Sequence, residues 1–281
     1  MTDASRLRDI QQGGHHVTTT TVAQNHGSSL TAGGDLVLDA GRDLNVVGSQ
    51  AGAKGDLTAA AGRDINLSAV EDAASVEVRS KTSSSRTVEQ TGQTRQLGAE
   101  LTAGGDLVAS AGQDLNLTAS TISASNEAYL YASRDVNLQA AAETDSHALS
   151  KTKRSHGLLS SSEKKTEDTS LYTTQKGSLV SADKIAIRAG QDIGVSGSDV
   201  ASTNGTSLLA GRNVLIDGAT ETSETSHAES KKKSGVMSSG GLGFTIGSAS
   251  TRPPRPTTAS RPAAAPSAAC WATSTSRPAR T

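Results

Sequence analysis

A seven-residue pattern of hydrophobic and polar positions recurs along the chain: Ala-Gly-x-Asp, an aliphatic residue, Asn, and a second aliphatic residue. Close copies occupy residues 40–46, 61–67 and 111–117, and weaker copies occupy 132–138, 189–195 and 210–216. The aliphatic residues alternate with a polar one, which is the period of a strand with one buried face. The copies form three pairs, and the two copies of each pair are 21 residues apart. A fixed period of about 20 residues predicts a solenoid in which each repeat forms one coil.

A second short strand precedes each of the three close copies of the pattern by a constant step. A Gly-Asp-aliphatic run starts eight residues upstream, as from Asp35 to Asp43 or from Asp56 to Asp64. Each unit therefore holds two short strands, and the remaining 13 residues can form a third side. Three short parallel strands per coil, stacked about 4.8 Å apart, predict an all-β protein. The fold that we expect is a right-handed parallel β-helix with coils of about 21 residues and disordered ends.

The acidic residues that open the strands are interpreted as turn residues. An Asp or Asn side chain can fold back onto nearby backbone amides, and glycine permits the positive φ of a sharp corner. Calcium-binding β-rolls also repeat Gly-Asp, but their acids recur about every nine residues, whereas the spacing here alternates between 8 and 13. We therefore expect no metal and no cofactor. The predicted turn residues are Asp35, Asp43, Asp56, Asp64, Asp106, Asp114, Asp135, Asp192 and Asn213.

A longer period groups the coils in pairs. Two-coil blocks lie near residues 30–70, 101–140 and 180–218, and a polar insert follows each block. The inserts are too polar to build a core, so they are either loops or strands on an exposed flank. The aligned Asn45 and Asn66, like Asn116 and Asn137, are expected to stack as amide ladders outside the core.

The two ends of the chain differ from the repeats. Residues 1–29 form a polar segment that could hold a partial repeat, and residues 30–250 form the β-helix. Residues 251–281 contain all six prolines, the single Trp and the single Cys. Proline cannot donate to a strand ladder, so the solenoid should end there. Two interpretations stay open for this tail: natural disorder, or out-of-frame translation of a GC-rich gene.

Composition supports the solenoid and narrows the function. Only 34% of the residues are hydrophobic and 2% are aromatic, which suits a thin column of small aliphatic side chains better than a thick globular core. The net charge of −1 provides no overall basic field, so we expect no nucleic acid partner. The single cysteine excludes an intramolecular disulfide and a cysteine-cluster zinc site. The first ten residues lack the apolar segment of a secretory signal peptide.

Candidate catalytic and metal-binding motifs are weak. The six histidines show no convincing metal spacing and are interpreted as solvated loop residues. Ser-x-x-Lys occurs at residues 161–164 and 230–233, without the motifs that accompany it in β-lactamase-type enzymes. The glycine-rich run at 241–244 is interpreted as a turn. A ladder of equivalent coils also offers no single privileged pocket, so we predict no catalytic residue and no enzyme.

Two basic clusters are the remaining candidate sites. Nearby acids, such as Glu163, Glu167 and Glu229, should largely cancel their field. Any contact with an anionic glycan or lipopolysaccharide should therefore be weak and sensitive to salt. The clusters comprise Lys151, Lys153, Arg154, Lys231, Lys232 and Lys233.

The coil pattern together with Ser-His-x-x-Ser-Lys inserts, at residues 146–151 and 226–231, resembles the haemagglutinin repeats of filamentous-haemagglutinin-like exoproteins. That family includes adhesins and contact-dependent growth inhibition toxins. The resemblance covers roughly residues 30–250. It implies an internal segment of a long secreted or cell-surface shaft. Export would use an outer-membrane two-partner secretion transporter that recognises an N-terminal region outside this chain.

Three functional hypotheses follow from these observations. The first is a structural and adhesive shaft that contacts a glycan or protein on a host or neighbouring cell. The second is the stalk of a contact-dependent growth inhibition toxin. The third, a β-helical polysaccharide lyase or hydrolase, is disfavoured because five aromatic residues in the whole chain leave little for sugar stacking.

Overall fold

The fold is all-β, as predicted. The computed structural model describes residues 3–13, 15–158, 160–239, 243–251 and 257–262, and all regular elements in these ranges are strands. A search of the described residues finds no helix that is long and apolar enough to cross a membrane. Short parallel strands form a β-helix, and long antiparallel strands form a second sheet beside it. The predicted parallel β-helix is confirmed.

The strands follow a regular order of hairpins and coils along the chain. The first hairpin is β1 (Asp3–Gly13) and β2 (His16–His26). The first block has coils β3 (Ser29–Ala32), β4 (Leu36–Ala40), β5 (Leu44–Val47) and β6 (Gln50–Ala53), β7 (Leu57–Ala61), β8 (Ile65–Ser68). The second hairpin is β9 (Val70–Lys81) and β10 (Ser85–Leu97). The second block has coils β11 (Glu100–Ala103), β12 (Leu107–Ala111), β13 (Leu115–Thr118) and β14 (Thr121–Ala124), β15 (Glu127–Ala132), β16 (Val136–Gln139). The third hairpin is β17 (Ala141–His156) and β18 (Ser160–Lys176). The third block has coils β19 (Leu179–Ala189), β20 (Ile193–Ser196) and β21 (Asp199–Ala210), β22 (Val214–Asp217), and the long β23 (Thr220–Ser239) follows with β24 (Gly243–Thr251) and β25 (Thr257–Pro262).

Each coil contributes one strand segment to each of three faces of the β-helix. The third face is the six-stranded sheet that runs from β5 to β22. The other two faces join through β19, which spans both and so merges them into one ten-stranded sheet. Equivalent residues lie side by side in the parallel register, as Leu57, Leu107 and Ala128 do.

The core is a column of small aliphatic side chains at alternate strand positions. In β12, Leu107, Ala109 and Ala111 are buried, while the residues between them are half-buried. The same positions carry Leu, Ile, Val or Ala in the neighbouring coils, so apolar side chains stack on apolar side chains. Burying a Leu or Ile side chain fully stabilises the fold by about 1.5–3 kcal/mol. The sequence repeats because equivalent apolar residues of successive coils stack on one another in the core.

The corner after the third strand of a coil differs between the first and the second coil of each block. After the first coil of each block, the backbone enters the left-handed region at Gly48 (φ 50°), Ala119 (φ 46°) and Gly197 (φ 54°). A serine follows each of these residues and donates its hydroxyl to the carbonyl two residues before it. After the second coil, the chain runs from the last short strand directly into a hairpin. The left-handed corner therefore marks the coil-to-coil junctions within the blocks.

The polar inserts are strands on an exposed flank, which decides between the two structures left open for them. The hairpins pair with one another in the order β1-β2-β9-β10-β17-β18-β23-β24, and all these pairs are antiparallel. We call this sheet the flank sheet. None of the described residues in 70–97 or 141–176 is buried, so solvent reaches both of its faces there.

The flank sheet and the β-helix advance at the same rate. Two coils add two strand spacings to each parallel face, which is about 9.6 Å. A hairpin adds its two strands to the flank sheet, and the advance is again about 9.6 Å. One hairpin after every second coil is therefore the ratio that keeps both sheets continuous.

The two ends of the chain extend the flank sheet. The N-terminal segment forms the hairpin β1–β2, and β2 pairs with β9. In the proline-rich tail, β25 pairs with β23, with Thr220 opposite Pro262. Residues 252–256 and 263–281 lie outside the described residues, as do 240–242 of the predicted glycine-rich turn.

Candidate functional site: corner ladders and a lysine row

The acids that precede the third strand of each coil form a ladder between coils. The amide N–H of Asp114 donates to Oδ1 of Asp64 at 3.2 Å, and that of Asp135 donates to Oδ1 of Asp114 at 3.3 Å. Asp192 continues the ladder on Asp135 at 3.0 Å, and Asn213 continues it on Asp192 at 3.1 Å. The amide that each carboxylate accepts thus belongs to the equivalent residue of the next coil, rather than to its own turn.

A second, shorter ladder joins the acids that precede the second strand. Oδ1 of Asp35 accepts the amide N–H of Asp56 at 2.9 Å, and Oδ1 of Asp56 accepts that of Asp106 at 2.8 Å. Asp106 in turn accepts the amide of Glu127 at 3.1 Å. Each acid therefore ties two neighbouring coils together at this corner, beside backbone hydrogen bonds such as that from the amide of Gly105 to the carbonyl of Gly55.

Arginines clamp the first ladder once in each block. Arg63 donates from Nε and Nη2 to the two carboxylate oxygens of Asp43 at 2.7 and 2.6 Å. Arg134 binds both oxygens of Asp114 in the same way, and Arg212 donates to Asp192 at 2.6 Å. These hydrogen bonds lower the pKa of the Asp43 and Asp114 carboxyls, because they stabilise the charged form.

The sequence contains a signal for these clamps that the motif alone does not reveal. The residue before the ladder acid is Arg in the second coil of every block, but Gln113 and Gln191 in two of the first coils. Backbone amides and guanidinium groups occupy the carboxylate oxygens of this ladder. Among the described residues, no group of three or more His, Cys, Asp or Glu is arranged to hold a metal ion.

The predicted amide ladder is present on the outside of the third face. Nδ2 of Asn66 donates to Oδ1 of Asn45 at 2.9 Å, and Asn116 donates to Asn66 at 3.0 Å. Asn137 donates to Asn116 at 3.0 Å. The next coil carries Gly194 at this position, so the ladder ends there.

The predicted basic residues divide between the two faces of the flank sheet. Successive residues of a strand point to opposite faces, and residues directly opposite on paired strands point to the same face. Lys153 lies opposite Lys164, and Lys164 lies opposite Lys231. Lys151 and Lys233 share this face by their spacing of two residues, whereas Arg154 and Lys232 lie on the other face. We define the lysine row as Lys151, Lys153, Lys164, Lys231 and Lys233, all of them exposed.

Lys164 is the member of the row that sequence reasoning missed. It lies on β18, whereas Lys151 and Lys153 lie on β17 and the other two lie on β23. Only the pairing of β18 with both of these strands brings Lys164 between them. The alternation of side chains along a strand predicts which residues of one strand share a face of the sheet. It does not predict which residue of the neighbouring strand lies opposite each of them.

On the opposite face, two basic residues are paired with acids. There, Arg154 donates to Glu163 at 2.7 Å, and Lys165 pairs with Glu167 at 2.5 Å. The hydrogen bond from Arg154 lowers the pKa of Glu163. In the lysine row, Lys164 pairs with Glu229 at 2.9 Å. The described residues provide no ion pair for the other four lysines.

The two histidines of the Ser-His inserts lie on the same face as the lysine row. Nε2 of His147 is 3.2 Å from Oε1 of Glu89, and Nδ1 of His227 contacts Oδ1 of Asp168. Both histidines sit on strands rather than in the loops that were expected. Each is matched with one carboxylate.

A protein-family model described as hemagglutinin repeat matches the chain three times, over residues 10–93, 79–162 and 158–252. The tRNA nuclease CdiA of Escherichia coli (strain STEC_O31) is 39% identical over 225 residues, which is 80% of this chain and 7% of that protein. The deoxyribonuclease CdiA of Dickeya dadantii (strain 3937) is 38% identical over 227 residues, again 80% of this chain and 7% of that protein. The 16S rRNA endonuclease CdiA of Enterobacter cloacae is 44% identical over 117 residues, 42% of this chain and 4% of that protein. The chain thus spans only a small part of these relatives, and no solved structure matches it.

Proposed function

Because the chain belongs to the hemagglutinin repeat family, we propose that it is a shaft segment of a secreted or cell-surface exoprotein and carries no catalysis. The observation that supports this is the continuity of the ladders: equivalent residues stack from the first coil to the last on all three faces. Six coils at about 4.8 Å each give a rod segment about 25–30 Å long. The flank sheet runs beside the coils and widens the segment with long strands.

The comparisons also support a role without chemistry. The three relatives named above carry different activities in their names: a tRNA nuclease, a deoxyribonuclease and a 16S rRNA endonuclease. Each of them nevertheless matches a large part of this chain, over 225, 227 and 117 residues respectively. The shared stretch therefore does not set which nucleic acid those proteins cut, and a structural role accounts for its retention.

A second candidate is the stalk of a contact-dependent growth inhibition toxin, and the names of the relatives favour it over a dedicated adhesin. In either case the protein would be exported by an outer-membrane two-partner secretion transporter. The flank sheet, with both faces open to solvent, is the surface available for contact with another cell.

Two measurements test the proposal. The chain should give a β-type circular dichroism spectrum, and small-angle X-ray scattering should give a non-spherical particle that is about 25–30 Å thick along the coil axis. A compact helical particle would refute the shaft segment. For the stalk, residues 30–250 should replace the matching stretch of the Dickeya dadantii relative with inhibition of neighbouring cells retained. Loss of inhibition in a chimera that still reaches the cell surface would count against it.

A further inference from the structure

Five lysines project from one face of the flank sheet, from three adjacent strands. We propose that this lysine row binds an anionic polysaccharide that carries about one charge per sugar residue and lies across the strands, along the axis of the β-helix. The inference rests on the proposed extracellular role only for access to such a ligand.

The spacing of the lysines indicates which charge density of a polysaccharide the row can match. Lys153, Lys164 and Lys231 lie in direct register on neighbouring strands, about 4.8 Å apart. Lys151 and Lys233 extend the row along the strands by two residues, about 6.7 Å. A step of about 4.8 Å is comparable to the length of one pyranose residue. A polysaccharide with a charge on each residue can therefore meet successive lysines, whereas one with sparser charges leaves some of them unmatched.

The stability of the sheet does not account for this arrangement. Like charges directly opposite each other on paired strands are destabilising, and Glu229 is the acid that pairs with a lysine of the row. The same strands carry Arg154 and Lys165 on the other face, each paired with a glutamate. Two basic residues on the face away from the row are thus compensated, whereas Lys164 is the one lysine of the row that has an ion pair among the described residues.

The side chains around the row select a sugar over other polyanions. Hydroxyls share the face with the lysines and can exchange hydrogen bonds with sugar hydroxyls; they belong to Ser85, Ser155, Ser162 and Thr166. Within β10, β17, β18 and β23, the rows that hold the lysines contain no aromatic side chain on which a nucleic acid base could stack. They also contain no apolar side chain that could enter a lipid surface.

The test compares two triple variants of the full chain that change the net charge equally. The first, K153Q/K164Q/K231Q, neutralises the centre of the row. The control, R86Q/K165Q/K232Q, neutralises three basic residues of the same sheet on the opposite face. Binding is measured by isothermal titration calorimetry, with dextran sulfate and polygalacturonate as densely charged probes. Hyaluronate serves as a probe with a charge on every second residue, and dextran as the neutral probe.

The unsubstituted chain should bind dextran sulfate and polygalacturonate more tightly than hyaluronate, and should not bind dextran. The row variant should weaken binding by about tenfold or more and the control by less than about twofold, and affinity should fall as salt rises. Equal losses in both variants, or no binding to either dense probe, would overturn the proposal. So would tighter binding to single-stranded DNA or to vesicles of anionic lipid. Neither variant should alter the dichroism or scattering of the rod, so these failures would leave the shaft proposal standing.

Discussion

Leu117 lies at the centre of the β-helix core and offers the sharpest test of the stacked column. It is fully buried, and Leu67 and Leu138 flank it at the same position in the two adjacent coils. Leu117→Ala removes three carbon atoms, which corresponds to about 2.4 kcal/mol of lost transfer free energy. The neighbours are held by their own ladders and cannot collapse into the space, so a cavity cost of about 1–2 kcal/mol is added. We expect a total loss of about 3.4–4.4 kcal/mol.

Ile216 provides the matched control, because it occupies the same column position in the last coil but is 71% exposed. Ile216→Ala should cost less than about 1 kcal/mol, since little apolar area is lost from the core. Urea unfolding followed by far-ultraviolet circular dichroism measures both variants at neutral pH, with a common m-value. A loss below about 1 kcal/mol for Leu117→Ala, or equal losses for the two variants, would refute the stacked-column description.

Three further predictions test the corners and the ladders. Gly112→Ala places a Cβ against the backbone oxygen of Gly62 and should destabilise the chain by more than about 2 kcal/mol. The control is Gly41→Ala, at the same motif position but with open space around it, which should cost less than about 1 kcal/mol. Equal thermal midpoints for the two variants would contradict the close approach of the coils. Asn116→Ala removes the middle of the amide ladder and should lower the free energy of unfolding in urea by about 1–2 kcal/mol. The control Asn126→Ala changes an exposed asparagine and should cost only a few tenths of a kcal/mol. An unchanged stability of Asn116→Ala would show that the ladder contributes nothing. The lowered pKa values of Asp43 and Asp114 mean that the unfolded chain binds more protons than the folded chain below about pH 4. The stability from these pairs is therefore present above that pH and is lost as pH falls through the folded pKa. Arg134→Gln should flatten the fall of the melting temperature as the pH drops below about 4. An unchanged slope would exclude the clamp as its source.

Much of the β-helix could be predicted from local sequence. The 21-residue period fixes the coil, the alternation of Leu44, Asn45 and Val46 fixes which side faces the core, and the aligned asparagines predict the ladder. These features were visible because in a solenoid each residue packs against its own equivalents. The repeat in the sequence and the contacts in space therefore carry the same information.

The flank sheet could be predicted only in part. Its strands are polar on both faces, so no hydrophobic alternation distinguishes them from loops. The position of Lys164 between Lys153 and Lys231 depends on which residue faces which across two strand pairs. The arginine clamps depend on the same kind of information, because Arg63 reaches Asp43 across the gap between two coils.

The sequence by itself determined the coil, its core positions and the two-coil block, because these follow from periodicity and burial within one repeat. The tertiary structure alone decided that the inserts form a continuous sheet, and that its advance matches that of the β-helix. It also gathered the basic residues of separate inserts onto one face. The physical reason is that register between polar strands is set by long-range backbone pairing, which leaves no hydrophobic pattern in the chain.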